Sequence, residues 1–250
     1  MLRFIFIVVA CQILITSCQK NPDIEIPEAQ AFPLSINFSA WVGNDSLHQN
    51  QPYLNPFNEE IRVTAFKFYI HGLKLSNTAT GKSTSLEDQY YLMDLLSDNS
   101  RNISLNVPSG TYDKLSFIIG VDSILNVSGA QEGVLDPGKG MFWTWNSGYI
   151  MAKLEGNSPA STVAQNAFEY HIGGFKGTNN VVKEIEIPLN GGMNHNEEGV
   201  ISLGADVNKW FAGSHNIRIS ENPVVIMPGQ KAVEVAENYY RMFTVKSILQ

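Results

Sequence analysis

The chain has 250 residues, with 17 Lys and Arg against 24 Asp and Glu, a formal net charge of −7 and 44% hydrophobic residues. The acidic side chains are dispersed and no basic cluster is present, which excludes nucleic acid as a partner. Its length suffices for one hydrophobic core, and two cysteines, Cys11 and Cys18, are too few for a disulfide-stapled scaffold.

The N-terminus carries one basic residue, Arg3, and then a run from Phe4 to Ile15 that is apolar apart from Gln12. This run is too short to span a bilayer as a mature helix, so residues 1–17 read as a signal peptide. Ile15-Thr16-Ser17-Cys18 resembles the lipobox of bacterial lipoproteins, where small residues precede a cysteine that is lipidated after cleavage. Cleavage there removes Cys11, leaves Cys18 as the lipidated N-terminus and leaves no thiol pair for a disulfide. The expected localisation is the cell envelope, periplasmic or outer-membrane, with the membrane as a partner through the lipid anchor. Residues 18–33 hold Pro22, Pro27 and Pro33 with Asp23, Glu25 and Glu28, the composition of a flexible tether. Residues 34–250 are expected to form one domain.

Within that domain Leu34, Ile36 and Phe38 alternate with polar residues, the period of a strand with one buried face. Residues 61–65 alternate likewise. The phase then slips so that Phe66, Phe68 and Ile70 become the apolar set, which predicts a bulge or an exchange of faces. Further strands are expected at 90–95, 103–107, 114–119, 149–154, 167–172, 182–187 and 200–203, most separated by Gly, Pro, Asn or Ser. A short helix is expected over 205–212, capped near Asp206, and a longer one over 230–243. In the longer one Ala232, Val235, Ala236, Tyr239 and Phe243 fall on one face. The fold class is therefore mainly β, a β-sandwich with short C-terminal helices.

The densest chemistry lies in Met141-Phe142-Trp143-Thr144-Trp145-Asn146-Ser147-Gly148-Tyr149, which holds two of the four tryptophans. In an extended segment both indoles project to one face. Two readings stand: aromatic core, or a site carried on a connection at a sheet end. Nucleophile-elbow, zincin, phosphate-loop and EF-hand signatures are all lacking, and no acid/base pair is identifiable, so the chain reads as a binding protein and not an enzyme.

The histidines are His48, His71, His171, His195 and His215. In Phe168-Glu169-Tyr170-His171-Ile172 the alternation puts His171 opposite the apolar face, where an imidazole can meet a ligand or solvent. His71 follows a strand and precedes Gly72. His195 follows Gly191-Gly192-Met193-Asn194 and reads as part of a flexible loop, while His48 and His215 read as surface residues. Imidazole with thioether suits copper better than calcium or magnesium, and Met141, Met151 and Met193 are the candidate soft ligands, though methionine is equally a core filler.

The Trp-x-Trp run with its flanks, Gly120-Val121 and Asn126 upstream, and His171-Ile172-Gly173 downstream resembles the MbnP-like family. Phe68-Tyr69-Ile70 and Leu92-Met93-Asp94 fit the same pattern, and residues 206–211 and 238–243 are similar to a lipoprotein branch seen in Bacteroidetes-type bacteria. The resemblance implies a β-sandwich that binds copper through His171 and one of Trp143 or Trp145, the tryptophan oxidised to kynurenine by a dihaem peroxidase-like partner in some members. The chain departs from the family at Asn126-Val127, where many members continue Asn-His, so His71 or His195 would have to replace that imidazole. The alternative is a lipoprotein without metal whose Trp143, Trp145 and Tyr149 form a platform for a glycan or peptide.

Overall fold

A computed structural model describes residues 30–144 and 147–250, so the signal peptide, Cys18, most of the tether and Trp145 lie outside the described residues. The strands are β1 Ala31–Val42, β2 Asp45–Ser46, β3 Pro52–Leu54, β4 Glu60–Asn77, β5 Lys82–Ser85, β6 Tyr91–Asp94, β7 Asn102–Pro108 and β8 Gly110–Ile119. They continue as β9 Phe142–Thr144, β10 Gly148–Asn157, β11 Ala167–Gly173, β12 Lys183–His195, β13 Gly199–Asp206, β14 Val224–Val225 and β15 Phe243–Leu249. Among the described residues three α-helices, α1 Ser123–Val127, α2 Asn208–Phe211 and α3 Gln230–Tyr239, join them.

The strands form two sheets. In the smaller one β15, β13, β1 and β2 lie side by side, with β7 also pairing β1. The larger runs β12, β8, β4, β10, β11, β14. The alternation that marks β1 buries Leu34, Ile36 and Phe38, and Phe38 carries the contact between sheets. Its ring lies 6.3 Å from Phe68 of β4, 6.0 Å from Phe117 of β8 and 6.0 Å from Phe243 of β15, all edge-on. The mainly β sandwich expected from the sequence is what forms.

The phase slip in β4 is a bulge. Ala65 faces Glu155 of β10 while Val63 faces Gly156, so Thr64 is the extra residue and the apolar set changes phase there. The tether boundary moves: β1 begins at Ala31, with Ala31 opposite Pro108, and the Gln30 carbonyl accepts the Ser109 amide at 2.7 Å. Pro33 reads as a loop signal in sequence, yet it sits opposite Asn106 inside this ladder. At the other end α3 buries Ala232, Val235, Ala236 and Tyr239 as expected, but stops at Tyr239. Phe243 opens β15, antiparallel to β13, instead of closing the helix. The Asp206 carboxylate accepts the Asn208 amide at 3.0 Å as α2 starts.

Candidate functional site

The aromatic run folds into a hairpin, β9 to β10, in which Thr144 faces Gly148 and Phe142 faces Tyr149, so Trp143 is the extra residue of a bulge. Gly148 has φ +76°, and a Cβ there would come 2.2 Å from Asn126 Oδ1, so only glycine fits. Trp143 packs its six-membered ring on Gly173 of β11. A Cβ at Gly173 would lie 2.6 Å from Trp143 Cζ3 and 2.7 Å from the Tyr149 carbonyl. Trp143 and Phe142 are partly exposed.

The rest of the run is core. Met141 and Tyr149 are fully buried, which removes Tyr149 from any exposed platform and leaves the Met141 thioether inside the protein. Tyr149 stacks edge-on to Phe142 at 4.8 Å and to Tyr69 at 5.8 Å, and its hydroxyl donates to the Leu135 carbonyl at 2.8 Å.

Asn126 ties this hairpin to α1. Its Nδ2 donates to the Val121 and Asp122 carbonyls at 2.8 and 2.9 Å, and its Oδ1 accepts the Tyr149 amide at 2.8 Å. The Val121 amide in turn donates to the Met151 sulfur at 3.2 Å, which accounts for that buried thioether. The Gly120-Val121 and Asn126 pieces of the motif are thus the hairpin's structural support. The next residue, Val127, is 53% exposed.

His171 lies on the outer face of β11, opposite Lys153 of β10. His171 precedes Gly173 by two residues on β11, about 7 Å along the strand, and the β10–β11 register shifts beside Gly173. His171 Nε2 lies 2.7 Å from Glu155 Oε1. Lys153 Nζ lies 3.3 Å from the same oxygen and donates to the Gly140 carbonyl at 2.7 Å, joining the carboxylate to the base of the hairpin. The hydrogen bond from His171, with Lys153 nearby, outweighs burial and holds the Glu155 carboxyl down to about 2.

The other two candidate imidazoles are elsewhere. His71 is buried where β4 gains one residue against β8 between His71 and Lys74, with Gly72 at φ +62°. Its Nδ1 lies 3.2 Å from the Gly120 carbonyl and its Nε2 3.5 Å from Asp122 Oδ1, and its ring lies 4.5 Å from that of Tyr90. His195 is not in a flexible loop. Gly191 and Gly192, at φ +88° and +73°, make a bulge inside β12, after which the strand resumes and buries His195 completely. Its Nε2 lies 3.1 Å from the Phe32 carbonyl.

The three imidazoles therefore have three separate sets of partners. Among the described residues no group of three or more His, Cys, Asp or Glu could hold a metal ion. Met151 and Met193 are fully buried like Met141. Among the described residues the exposed thioether is Met227, 64% accessible, in a groove of about 300 Å³ beside the hairpin with Gly174, Phe175, Lys176 and Pro228. Sequence reasoning missed Glu155, Gly173 and Met227 as site residues. Glu155 was legible only as the next outward position after Lys153 in a strand read as ending at Leu154.

Among curated proteins none matches the chain. Among solved structures, MbnP from Methylosinus trichosporium is similar, with a TM-score of 0.58 and 16% identity over 88% of this chain and 98% of that one, a likeness of fold. The MbnP family model matches residues 31–228, which spans β1 to β14 with the hairpin, His171 and the groove. The chain belongs to the MbnP family.

Proposed function

We propose that this MbnP-family protein is an envelope lipoprotein, anchored through Cys18, that binds copper on the outer face of β9 to β11. The observation carrying the reading is that Trp143 is seated on Gly173, two residues after the partly buried imidazole of His171 on β11. Imidazole suits copper, and a sheet face beside a bulged hairpin gives an ion both a rigid wall and access. The donor set fits on one condition. Unmodified side chains on this face supply one imidazole and no thiolate, so a further donor must come from the hairpin. Oxidation of Trp143 or Trp145 to kynurenine would supply it. That oxidation needs an external oxidant, the part a dihaem peroxidase-like partner would play. In this reading the protein binds and carries copper and catalyses nothing.

The test is copper titration of the full-length protein, wild type against His171→Ala, with intact mass recorded on protein taken from its native host. Stoichiometric binding that the substitution abolishes, together with a mass gain localised to Trp143 or Trp145, is the expected result. Binding no stronger than that of an unrelated histidine-containing protein would reject it.

One observation favours a second reading. The groove beside the hairpin exposes Met227 and the edge of Phe175, surfaces that suit a glycan or peptide without metal. Trp143 would then be one wall of the platform, without Tyr149. Binding of a glycan or peptide that Phe175→Ala weakens and copper leaves unchanged would favour this reading over copper.

A further inference from the structure

We infer that Met227 is an oxidation site for peroxide: its thioether takes up one oxygen atom ahead of every other described methionine, and the sulfoxide turns the groove beside the hairpin from apolar to polar. Copper has no part in this. Met227 lies between β14 and α3 and is 64% exposed, with Ile226 beside it also in solvent. Among the described residues the other methionines, Met93, Met141, Met151, Met193 and Met242, are all buried. The Met151 sulfur also accepts the Val121 amide at 3.2 Å, which engages one of its lone pairs. Core filling, the usual work of methionine, accounts for those five and not for Met227.

A peroxide oxidises a thioether by oxygen transfer. A sulfur lone pair attacks one oxygen of hydrogen peroxide, the S–O bond forms and the O–O bond breaks. The proton on the transferred oxygen passes to the departing hydroxide, which leaves as water. Sulfur loses two electrons and the peroxide gains them, and the product is a polar, chiral side chain. The attack needs an accessible sulfur, which a buried methionine offers only when the fold opens locally.

The groove is built to receive the product. Phe175, Lys176, Asn179 and Pro228 line it with Met227. Lys176 Nζ stands 4.9 Å over the Phe175 ring. A thioether accepts hydrogen bonds weakly, whereas a sulfoxide oxygen accepts them well, and the Lys176 ammonium and the Asn179 carboxamide are donors on the same wall. Pro228 packs against Gly174, where a Cβ would lie 3.4 Å from the proline Cβ, so the backbone next to Met227 is pinned. Oxidation therefore changes the polarity of the groove and leaves the chain in place.

The experiment treats the folded full-length protein with hydrogen peroxide, quenches at intervals and follows the gain of oxygen at each methionine by peptide mass spectrometry. A parallel reaction is run on the chain unfolded in urea. In the folded protein Met227 is expected to react at least about 10-fold faster than any buried methionine, and in urea all are expected to react alike. Amide NMR of the oxidised protein should show shifts at residues 174–179 and 224–229 and little change elsewhere. Met227→Leu keeps the groove apolar and should abolish both the fast uptake and these shifts.

A folded protein in which Met227 reacts no faster than the buried methionines overturns the inference, and this readout needs no variant. A preference for Met227 that persists in urea also overturns it, because it would then belong to the local sequence and not to the fold. A sulfoxide that forms without shifts at Lys176 and Asn179 rejects the change of groove polarity.

Discussion

Trp143 occupies the space that a side chain at position 173 would fill: a Cβ on Gly173 would lie 2.6 Å from the indole. The bulge at Trp143 and the bare backbone of Gly173 are two halves of one contact. It seats the tryptophan on β11 two positions after His171.

Gly173→Ala should therefore unseat Trp143 and leave the sandwich folded. Backbone atoms of Tyr149 crowd the same position, so relief must come from the indole and the hairpin. Overpacking of this kind costs about 1–3 kcal/mol. The expected outcome is a modest fall in the urea midpoint with a clear change in tryptophan emission. An unchanged emission spectrum would mean that the indole does not rest on Gly173.

Asn126→Ala should be more damaging than its size suggests. The amide is 1% exposed and holds the Val121 and Asp122 carbonyls and the Tyr149 amide. Alanine leaves the Val121 carbonyl and the Tyr149 amide without this partner, while the Asp122 carbonyl still accepts the backbone amide of residue 126 at 3.2 Å; the cost is about 1–3 kcal/mol for each group that water cannot reach. A loss of roughly 2–4 kcal/mol in chemical denaturation is expected. Hydrogen exchange should speed first at Tyr149. A loss below 1 kcal/mol would show that water replaces the side chain.

Local signals in the sequence translated well where they depended on one strand or helix. The change of apolar phase after Ala65 became the Thr64 bulge, and the stripe Ala232, Val235, Ala236, Tyr239 became the buried face of α3. What failed depended on partners distant in sequence. Phe243 continues the helical spacing, but its ring is claimed by Phe38 of its own sheet and by Phe68 and Phe117 across the sandwich, so the chain leaves the helix and becomes β15. The parallel pairing of β1 with β13 leaves no mark in either strand. His195 follows two glycines that suggest a loop, and only the register with β8 shows them to be a bulge. At the site, the position of His171 on the outer face was legible from alternation. Its partner Glu155 was not, because which outward residue of β10 meets it is set by strand register.

Phe243→Ala tests that reassignment. The side chain is 9% exposed and lies 5.2 Å from Phe117 and 5.6 Å from Phe68. Removing a buried phenylalanine costs about 3–5 kcal/mol. Thermal unfolding of the variant should show a large drop, whereas the exposed Leu249→Ala at the other end of β15 should change little. Equal, small effects would argue that β15 does not close the sandwich.

The last prediction concerns acid stability and a carboxylate remote from the hairpin. Glu59 is buried, and burial alone would raise its carboxyl; hydrogen bonds more than reverse this. The Ser220 and Ile219 amides, the Asn55 amide and the Ser220 hydroxyl donate to it at 2.7 to 3.0 Å and hold it below its ordinary value of 4.5. A carboxyl whose value is lowered by folding stabilises the protein above the unfolded value, and that contribution drains away as pH falls through the lower folded value. Glu59→Gln keeps the shape and removes the charge, so it should cost about 1–3 kcal/mol at pH 7, the worth of hydrogen bonds to a charged group. As pH falls from about 4.5 through the lower folded value, wild-type Glu59 becomes protonated and resembles glutamine, so the gap between the two proteins should narrow and then close. Urea midpoints for both proteins at neutral pH and at intervals down to about pH 3 make the comparison. Midpoint curves that stay parallel throughout would show that Glu59 is not the carboxylate that couples this fold to acid.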